Sequence, residues 1–231
     1  MSAPLKIRAS RAGVLLTNAR SGKGLSETVK TMLIELWIEN NYHRITEISN
    51  KFIEKGLAVE EDAITLLCDV TGDFYKKNIK RFENDYITGT PDIITKSGTV
   101  IDIKSSWNLI TYVKAGLTPI YEYQLRCYME LTGCSEAILA YCLVDTPEPL
   151  IISKAKRISW QVDETIMPME DIVAGLRQQM TFSDIPKHER LKTFRIEADK
   201  AKMDDLYQRI ERAREFYQTI TLAGTEALTE A

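Results

Sequence analysis

The chain has 231 residues, of which 44% are hydrophobic and 27% are charged, and this composition is typical of a folded domain with a substantial core. The formal net charge of −3 does not indicate a nucleic-acid binder, although a basic groove can lie on an acidic protein. No apolar stretch approaches the ~20 residues of a membrane span and no secretory signal opens the chain, so we expect a cytoplasmic protein that does not enter membranes.

The first third of the chain is predicted to be a loop followed by two helices. Residues 1–24 are small, polar and basic, and the run from 18 to 24 is typical of a loop. Ser26 can cap a helix whose apolar residues recur at helical spacing, at Val29, Leu33, Leu36 and Trp37. A second helix is predicted from about 48 to 68, where Gly56 interrupts the pattern and could divide the helix in two.

The middle of the chain changes to the period of a β-sheet. Residues 86–104 are predicted to form two strands joined by a turn at 96–98, and the second strand is rich in β-branched residues. A helix is predicted over 119–132, and the nearly continuous apolar run from 137 to 144 indicates a central strand buried on both faces. Residues 150–162 are expected to form one or two further strands.

The stretch from about 189 to 219 is highly charged and is predicted to be helical. It has a single apolar stripe, which favours packing on the core over binding a partner and consists of Leu206, Ile210, Ala213, Tyr217 and Ile220. Residues 222–231 are expected to form a flexible tail, so residues 1–221 are predicted to be a single domain.

Four cysteines occur, at positions 68, 127, 134 and 142. None of them forms a CxxC pair, and both histidines lie far from them, so a zinc site is not expected. Because no secretory signal favours disulfides, we expect four buried, reduced thiols.

One tripeptide on the second predicted strand carries the potential for chemistry. Asp102 and Lys104 alternate with Ile103, so the carboxylate and the ammonium share one face of the strand. Asp92, ten residues earlier, follows Pro91, which stiffens the backbone. If the two strands pair through the turn, Asp92 and Asp102 approach each other. Two close carboxylates repel unless a cation lies between them, and their hard oxygens favour Mg²⁺ or Mn²⁺.

A metal held in this way would activate water and stabilise charge on a phosphate, while Lys104 would orient the water or neutralise the developing charge. The alternative is an exposed ion pair on a hairpin, worth under about 1 kcal/mol. The Asp-x-Lys tripeptide alone favours the exposed ion pair. With the Pro-Asp element at a matching distance, the sequence supports the metal site and the ion pair equally.

Further residues favour a phosphate-cleaving site, and each also has a structural interpretation. The acidic cluster at 60–62 could face the metal, or it could stabilise the start of a helix. Gln124 and Tyr128 share one face of a predicted helix, where they could line the site or simply pack. Ser105 and the two residues after it could hold a phosphate and a base, or they could form a polar strand end with a core tryptophan.

The order of these motifs resembles the PD-(D/E)xK nuclease superfamily. It consists of a helix-borne Glu60, then Gly-x-Pro-Asp ending at Asp92, then Ile-Asp-Ile-Lys ending at Lys104, and then Gln-x-x-x-Tyr from Gln124. Within the superfamily the chain is similar to the lambda-type, YqaJ-like phage exonucleases, with matching motifs over about residues 8–145. The resemblance implies an α/β fold with a restriction-endonuclease-like core, in which helices flank a central mixed sheet.

The resemblance also implies roles for individual residues, and it matches Glu60 better than Glu61. The implied catalytic residues are Glu60, Asp92, Asp102, Lys104 and Gln124. Mg²⁺, which Mn²⁺ can replace, would be held by Asp92, Asp102 and the main-chain carbonyl of Ile103. Ser10 would hold the terminal phosphate of DNA and Arg20 would contact DNA, and the position of Ser105 after the catalytic lysine adds it to this DNA-binding set.

The implied activity is Mg²⁺-dependent hydrolysis of DNA from duplex ends, directed 5′ to 3′, in phage recombination. A ring-shaped homotrimer and a single-strand annealing protein as partner are implied in the same way. Two alternatives stay open. One is an endonuclease or a RecB-like nuclease module, and the other is a non-catalytic DNA-binding or assembly protein with the same fold.

Overall fold

A computed structural model describes residues 4–20, 24–44, 51–161 and 167–225. The first elements in chain order are β1 (Ile7–Arg8), α1 (Ala9–Ala12), a 3-10 helix (Gly13–Leu16), α2 (Glu27–Tyr42), α3 (Lys51–Ala58), α4 (Glu60–Thr71), β2 (Phe82–Glu83), β3 (Ile87–Gly89), β4 (Ile93–Ile94) and β5 (Thr99–Ser105). They are followed by α5 (Leu109–Val113), α6 (Pro119–Thr132), β6 (Glu136–Cys142), α7 (Glu148–Ser159), α8 (Met169–Met180), a second 3-10 helix (Lys187–Arg190), β7 (Leu191–Glu197), α9 (Lys200–Gln218), β8 (Ile220–Thr221) and β9 (Gly224–Thr225).

The central sheet has four strands in the order β4-β5-β6-β7. β5 lies parallel to β6, with Asp102 opposite Leu139, and antiparallel to β4, with Ile101 opposite Ile93. β7 completes the mixed sheet antiparallel to β6. Successive side chains of β5 point to opposite faces, so one face packs in a core with α6 and the other packs against α4 through Leu67. The predicted α/β fold, with helices flanking a central mixed sheet, is confirmed.

The N-terminal segment packs tightly on α6 and forms a second sheet of order β1-β3-β2. A Cβ atom on Gly13 would lie 2.4 Å from the Cα of Ile120, so only glycine permits this approach. A Cβ atom on Gly89 would lie 2.6 Å from the ring of Tyr128. This packing brings Ser10, in α1, beside the helix that carries the predicted catalytic glutamine.

Several predicted elements are confirmed. Ser26 caps α2, where its side chain accepts a hydrogen bond from the amide of Val29. The hairpin turns at Gly98, which has a φ of 83° and donates to the carbonyl of Thr95. α6 spans the predicted residues 119–132, and β6 is the buried central strand. The apolar stripe of α9 packs in the core through Leu206, Ile210 and Ala213.

Two predicted elements are wrong in type. The region predicted as strand at 150–162 is helix α7, because Ile151 and Ala155 recur at helical spacing and pack against α8. Its isoleucines favoured a strand, but propensity is weaker than tertiary packing. The helix predicted to start at about residue 189 starts at Lys200, where Asp199 caps α9. The residues before it form strand β7 at the edge of the sheet. Phe194 and Ile196 of β7 do alternate with exposed polar residues, but the short strand directly precedes the charged helix and was predicted as part of it.

Some boundaries also differ from the prediction. Gly56 lies inside α3, and the helix breaks at Val59 instead. The region before the predicted loop at 18–24, for which no element was predicted, contains β1, α1 and a 3-10 helix. The predicted tail begins with a hairpin of β8 and β9 that reaches Thr225. Predictions for residues 21–23, 48–50, 162 and 226–231 lie outside the described residues.

The four cysteines are free thiols. Cys127, Cys134 and Cys142 are buried as predicted, whereas Cys68 is partly exposed. Among the helices that the structure describes, none is long and apolar enough to cross a membrane. Because all four cysteines are free, packing and hydrogen bonds stabilise the described fold without a disulfide.

Candidate active site

Asp92 lies immediately before β4, where hydrogen bonds fix both its side chain and its backbone. Its Oδ2 accepts a hydrogen bond of 2.7 Å from the amide of Ile103 on β5. The side chain of Asn78 donates to the carbonyl of Pro91 at 2.9 Å, and the amide of Asn78 donates to the carbonyl of Asp92 at 2.7 Å. Asn78 could not be predicted as a site residue, because no local pattern shows that residue 78 folds back onto this segment.

Asp102 lies on β5 with only 2% of its surface exposed. Its Oδ1 accepts a hydrogen bond of 3.1 Å from Nε2 of Gln124, and the same nitrogen donates to the hydroxyl of Tyr128 at 2.9 Å. Its Oδ2 lies 2.7 Å from Nζ of Lys104, but this ion pair lacks hydrogen-bond geometry. This buried oxygen is thus paired with the ammonium of Lys104 and makes no other described contact, so it can accept a further ligand.

Burial and the nearby carboxylate of Asp102 raise the pKa of Asp92 to about 7. Burial lowers the pKa of Lys104, but the charges of the two carboxylates outweigh it and raise that pKa above its usual value. Two carboxylates that repel each other, with an oxygen of Asp102 free to take a ligand besides Lys104, fit a divalent cation that takes oxygen ligands. They form a sparse site, because the described residues contain no cluster of three His, Cys, Asp or Glu side chains that could hold a metal ion.

These groups line one open cleft with a volume of about 640 Å³. Tyr121, which the sequence analysis missed, also lines the cleft and has its ring centroid 5.2 Å from Nζ of Lys104. Arg20 is exposed in a turn and does not line the cleft. The structure brings together in the cleft every other predicted site residue, namely Ser10, Glu60, Asp92, Asp102, Ile103, Lys104, Ser105 and Gln124.

The acidic cluster at the start of α4 divides between the cleft and the solvent. Glu60 lines the cleft, and its Oε2 pairs with Nζ of Lys77 at 2.5 Å. This hydrogen bond raises the pKa of Lys77 above its usual value. Glu61 is exposed and does not line the cleft. Of the two glutamates, Glu60 is therefore the one placed to act on a bound ligand.

We expect Glu60→Gln and Glu61→Gln to have different effects on DNA cleavage. Glu60→Gln removes a negative charge from the cleft and should lower the rate about 10–100-fold. Glu61→Gln makes the same change on the exposed side, and its rate should stay within about twofold of the wild-type rate. Steady-state kinetics on a linear duplex measure both rates. Equal losses in the two variants would contradict the assignment of Glu60.

Ser10 connects the cleft to a smaller pocket of about 260 Å³. Two arginines, Arg8 and Arg81, line the smaller pocket together with Thr88. Nε of Arg81 donates a hydrogen bond of 2.8 Å to Oγ1 of Thr88, and Arg8 pairs with Glu39. Arg81 lies immediately before β2, and the pairing of β2 with β3 brings it to the same pocket as Ser10.

No protein-family profile matches the sequence, and no curated protein matches it. Among solved structures, the chain is similar to a phage-related exonuclease from Haemophilus somnus 129PT, with a TM-score of 0.75 and 26% identity over 93% of this chain and 94% of that one. It is also similar to an alkaline exonuclease from Laribacter hongkongensis, with a TM-score of 0.62 and 17% identity over 92% of this chain and 88% of that one. The latter enzyme has also been solved in complex with dAMP.

The chain has the fold of nucleases of the PD-(D/E)xK type. Within that class the chain resembles the phage-type exonucleases, as its sequence motifs predicted. The likeness to the phage-related exonuclease supports assignment of the chain as a nuclease enzyme.

Proposed function

We propose that the chain is a metal-dependent DNA exonuclease that hydrolyses phosphodiester bonds from duplex ends in the 5′-to-3′ direction. The observation that carries this proposal is the pair formed by the partly buried Asp92 and the buried Asp102, beside Lys104 in one open cleft. The likeness to the phage-related exonuclease, over nearly the full length of both chains, supports the exonuclease class. The direction of hydrolysis rests on the family resemblance alone.

Mg²⁺, or Mn²⁺ in its place, would be held by Asp92, Asp102 and the main-chain carbonyl of Ile103. When bound, the metal would supply activation of water and stabilisation of charge at the phosphate. Gln124 holds Asp102 in position through its hydrogen bond to Oδ1. Lys104 presents its ammonium beside the same carboxylate, where it would orient the attacking water or neutralise the charge that develops on the phosphate.

The DNA would contact the protein through Ser10, Arg20 and Ser105. Ser10 would hold the terminal phosphate, since Arg81 in the neighbouring pocket supplies positive charge for it. Ser105 lines the cleft directly after the catalytic lysine, where its hydroxyl would meet the phosphate backbone. The role of Arg20 rests on the family resemblance, because this residue lies outside the cleft.

The assembly and the setting are proposals of the same origin. We propose a homo-oligomer, a trimer by resemblance, that acts on double-stranded DNA ends in the cytoplasm of a phage-infected host. A single-strand annealing protein would take over the strand that degradation exposes. The trimer, the annealing partner and the phage setting rest on the resemblance of the sequence motifs to those of phage exonucleases.

Two other functions are compatible with the same fold. An endonuclease or a RecB-like nuclease module would cut without a free end, and a non-catalytic DNA-binding or assembly protein would not cut at all. The complete set of Asp92, Asp102 and Lys104, lining an open cleft, favours catalysis over the second alternative. The neighbouring exonuclease structures favour end-dependent cutting over the first.

A comparison of linear and closed circular duplexes of the same sequence tests the proposed function. In Mg²⁺ we expect the linear duplex to be degraded and the circle to stay intact, because the reaction needs a free end. EDTA should abolish degradation, because two repelling carboxylates cannot hold the reacting phosphate without a cation. Cutting of the circle would indicate an endonuclease, and a lack of metal-dependent degradation would indicate a non-catalytic protein.

A further inference from the structure

One buried lysine, behind the residues that line the cleft, has no part in the chemistry proposed above. Lys55 lies in α3 with 1% of its surface exposed. Its neighbours along the helix, Gly56 and Leu57, line the cleft, but Lys55 itself does not. Burial lowers the pKa of Lys55 to about 8, and the charge of Asp145 opposes this shift. Since burying an ammonium is costly unless it is hydrogen-bonded, its contacts indicate its role.

The ammonium of Lys55 is bound by main-chain carbonyls from two strand ends. Nζ donates to the carbonyl of Ser106 at 2.7 Å and to the carbonyl of Val144 at 2.8 Å, with a longer contact of 3.5 Å to the carbonyl of Trp107. Ser106 and Trp107 follow β5 and line the cleft, and Val144 follows β6. A single side chain thus ties α3 to the ends of both central strands.

We propose that Lys55 is a positioning residue for the nuclease reaction, an inference that rests on the proposed function. Its ammonium holds the segment after β5, and with it Lys104 and Ser105, against the wall that α3 forms. The amide of Ser106 donates to the carbonyl of Cys142 at 3.0 Å, so both main-chain polar groups of Ser106 are fixed. A displacement of about 1 Å at a reacting group can lower a rate about 100-fold. We therefore expect the hydrogen bond from Lys55 to Ser106 to affect kcat more than DNA binding.

Two substitutions test this role. Lys55→Met keeps the apolar stem and removes the ammonium, and Lys55→Gln keeps a shorter polar donor. On a linear duplex in Mg²⁺, we expect Lys55→Met to lower kcat at least about tenfold and to leave KM within about twofold. Lys55→Gln should recover part of the lost kcat. Hydrogen exchange should be faster at the amides of residues 105–108 in Lys55→Met, and this measurement does not depend on activity.

Leu206→Ala is the control for a simple loss of stability. Leu206 is fully buried in the core at α9, so its truncation lowers the melting temperature. We expect it to leave both kcat and the exchange at residues 105–108 unchanged, when measured well below the melting temperature. A folded Lys55→Met with wild-type kcat would overturn the proposal.

Failure of both lysine variants to fold would also overturn the proposal, because it would assign Lys55 to fold stability alone. A wild-type protein that degrades no DNA would instead contradict the proposed function. In that case the hydrogen-exchange comparison still reports whether Lys55 holds the segment after β5, so the two failures are distinguishable.

Discussion

Lys104→Ala is expected to abolish metal-dependent cleavage of linear duplex DNA while the protein keeps its fold. The ammonium lines the cleft and lies 2.7 Å from the buried carboxylate of Asp102, where it is placed to act on a bound phosphate. Loss of one group that stabilises transition-state charge lowers a rate about 100- to 1000-fold. Activity assays together with circular dichroism measure both parts of this prediction.

Lys96→Ala is the matched control for this prediction, because Lys96 is exposed in the turn of the same hairpin. Its cleavage rate should stay within about twofold of the wild-type rate. Lys104→Ala should also lower the melting temperature of the metal-free protein, because it leaves buried carboxylates without their neighbouring cation. If Lys104→Ala retains activity, the assignment of the catalytic lysine is wrong. Equal losses in both variants would indicate a general effect of positive charge on DNA binding.

Asp92→Asn is expected to abolish cleavage and, in the absence of metal, to stabilise the protein at pH 8. The folded protein raises the pKa of Asp92 from 3.8 to about 7, because of burial and the charge of Asp102. The folded state therefore favours the protonated carboxyl, and its stability falls as the pH rises from about 4 to about 7. Asparagine removes this penalty, on the order of a few kcal/mol, and can still accept the hydrogen bond from Ile103.

Thermal unfolding with EDTA and with Mg²⁺ tests the Asp92 prediction. At pH 8 without metal, Asp92→Asn should melt above the wild type, and the gain should shrink towards pH 4. Mg²⁺ should stabilise the wild type more than the variant, because a ligand that binds only the folded state raises its stability. Asp184→Asn, at an exposed position, should change neither curve. A lower melting temperature for metal-free Asp92→Asn at pH 8 would contradict the account of this carboxyl pair.

The catalytic strand could be predicted from the sequence because its information is local. Alternation along β5 places Asp102 and Lys104 on one face whatever the tertiary fold, and a glycine turn sets the pairing that brings Asp92 to β5. The helix of Gln124 was equally predictable from its period, and the structure adds the hydrogen bond from Gln124 to Asp102. The order of these motifs indicated the resemblance to phage exonucleases, which the likeness to a solved phage-related exonuclease confirms.

The residues that support the site could not be predicted, because their contacts are tertiary. Asn78 reaches Pro91 across 13 positions, and Lys55 reaches Val144 across 89. A lysine in a helix is usually solvated, and nothing in the local pattern around Lys55 shows that three carbonyls surround it. Helix α7 was predicted as strand for a related reason, since its isoleucines have β propensity but pack against a helix that follows later in the chain.

The position of a bound metal ion tests the central claim most directly. Crystals of the protein soaked in Mn²⁺ should show an anomalous difference peak between the carboxylates of Asp92 and Asp102, next to the main-chain carbonyl of Ile103. The same soak of Asp92→Asn crystals should show no peak, or a much weaker one. A Mn²⁺ ion bound elsewhere, or no ion at this position in a protein that degrades DNA only with metal, would contradict the account of the active site.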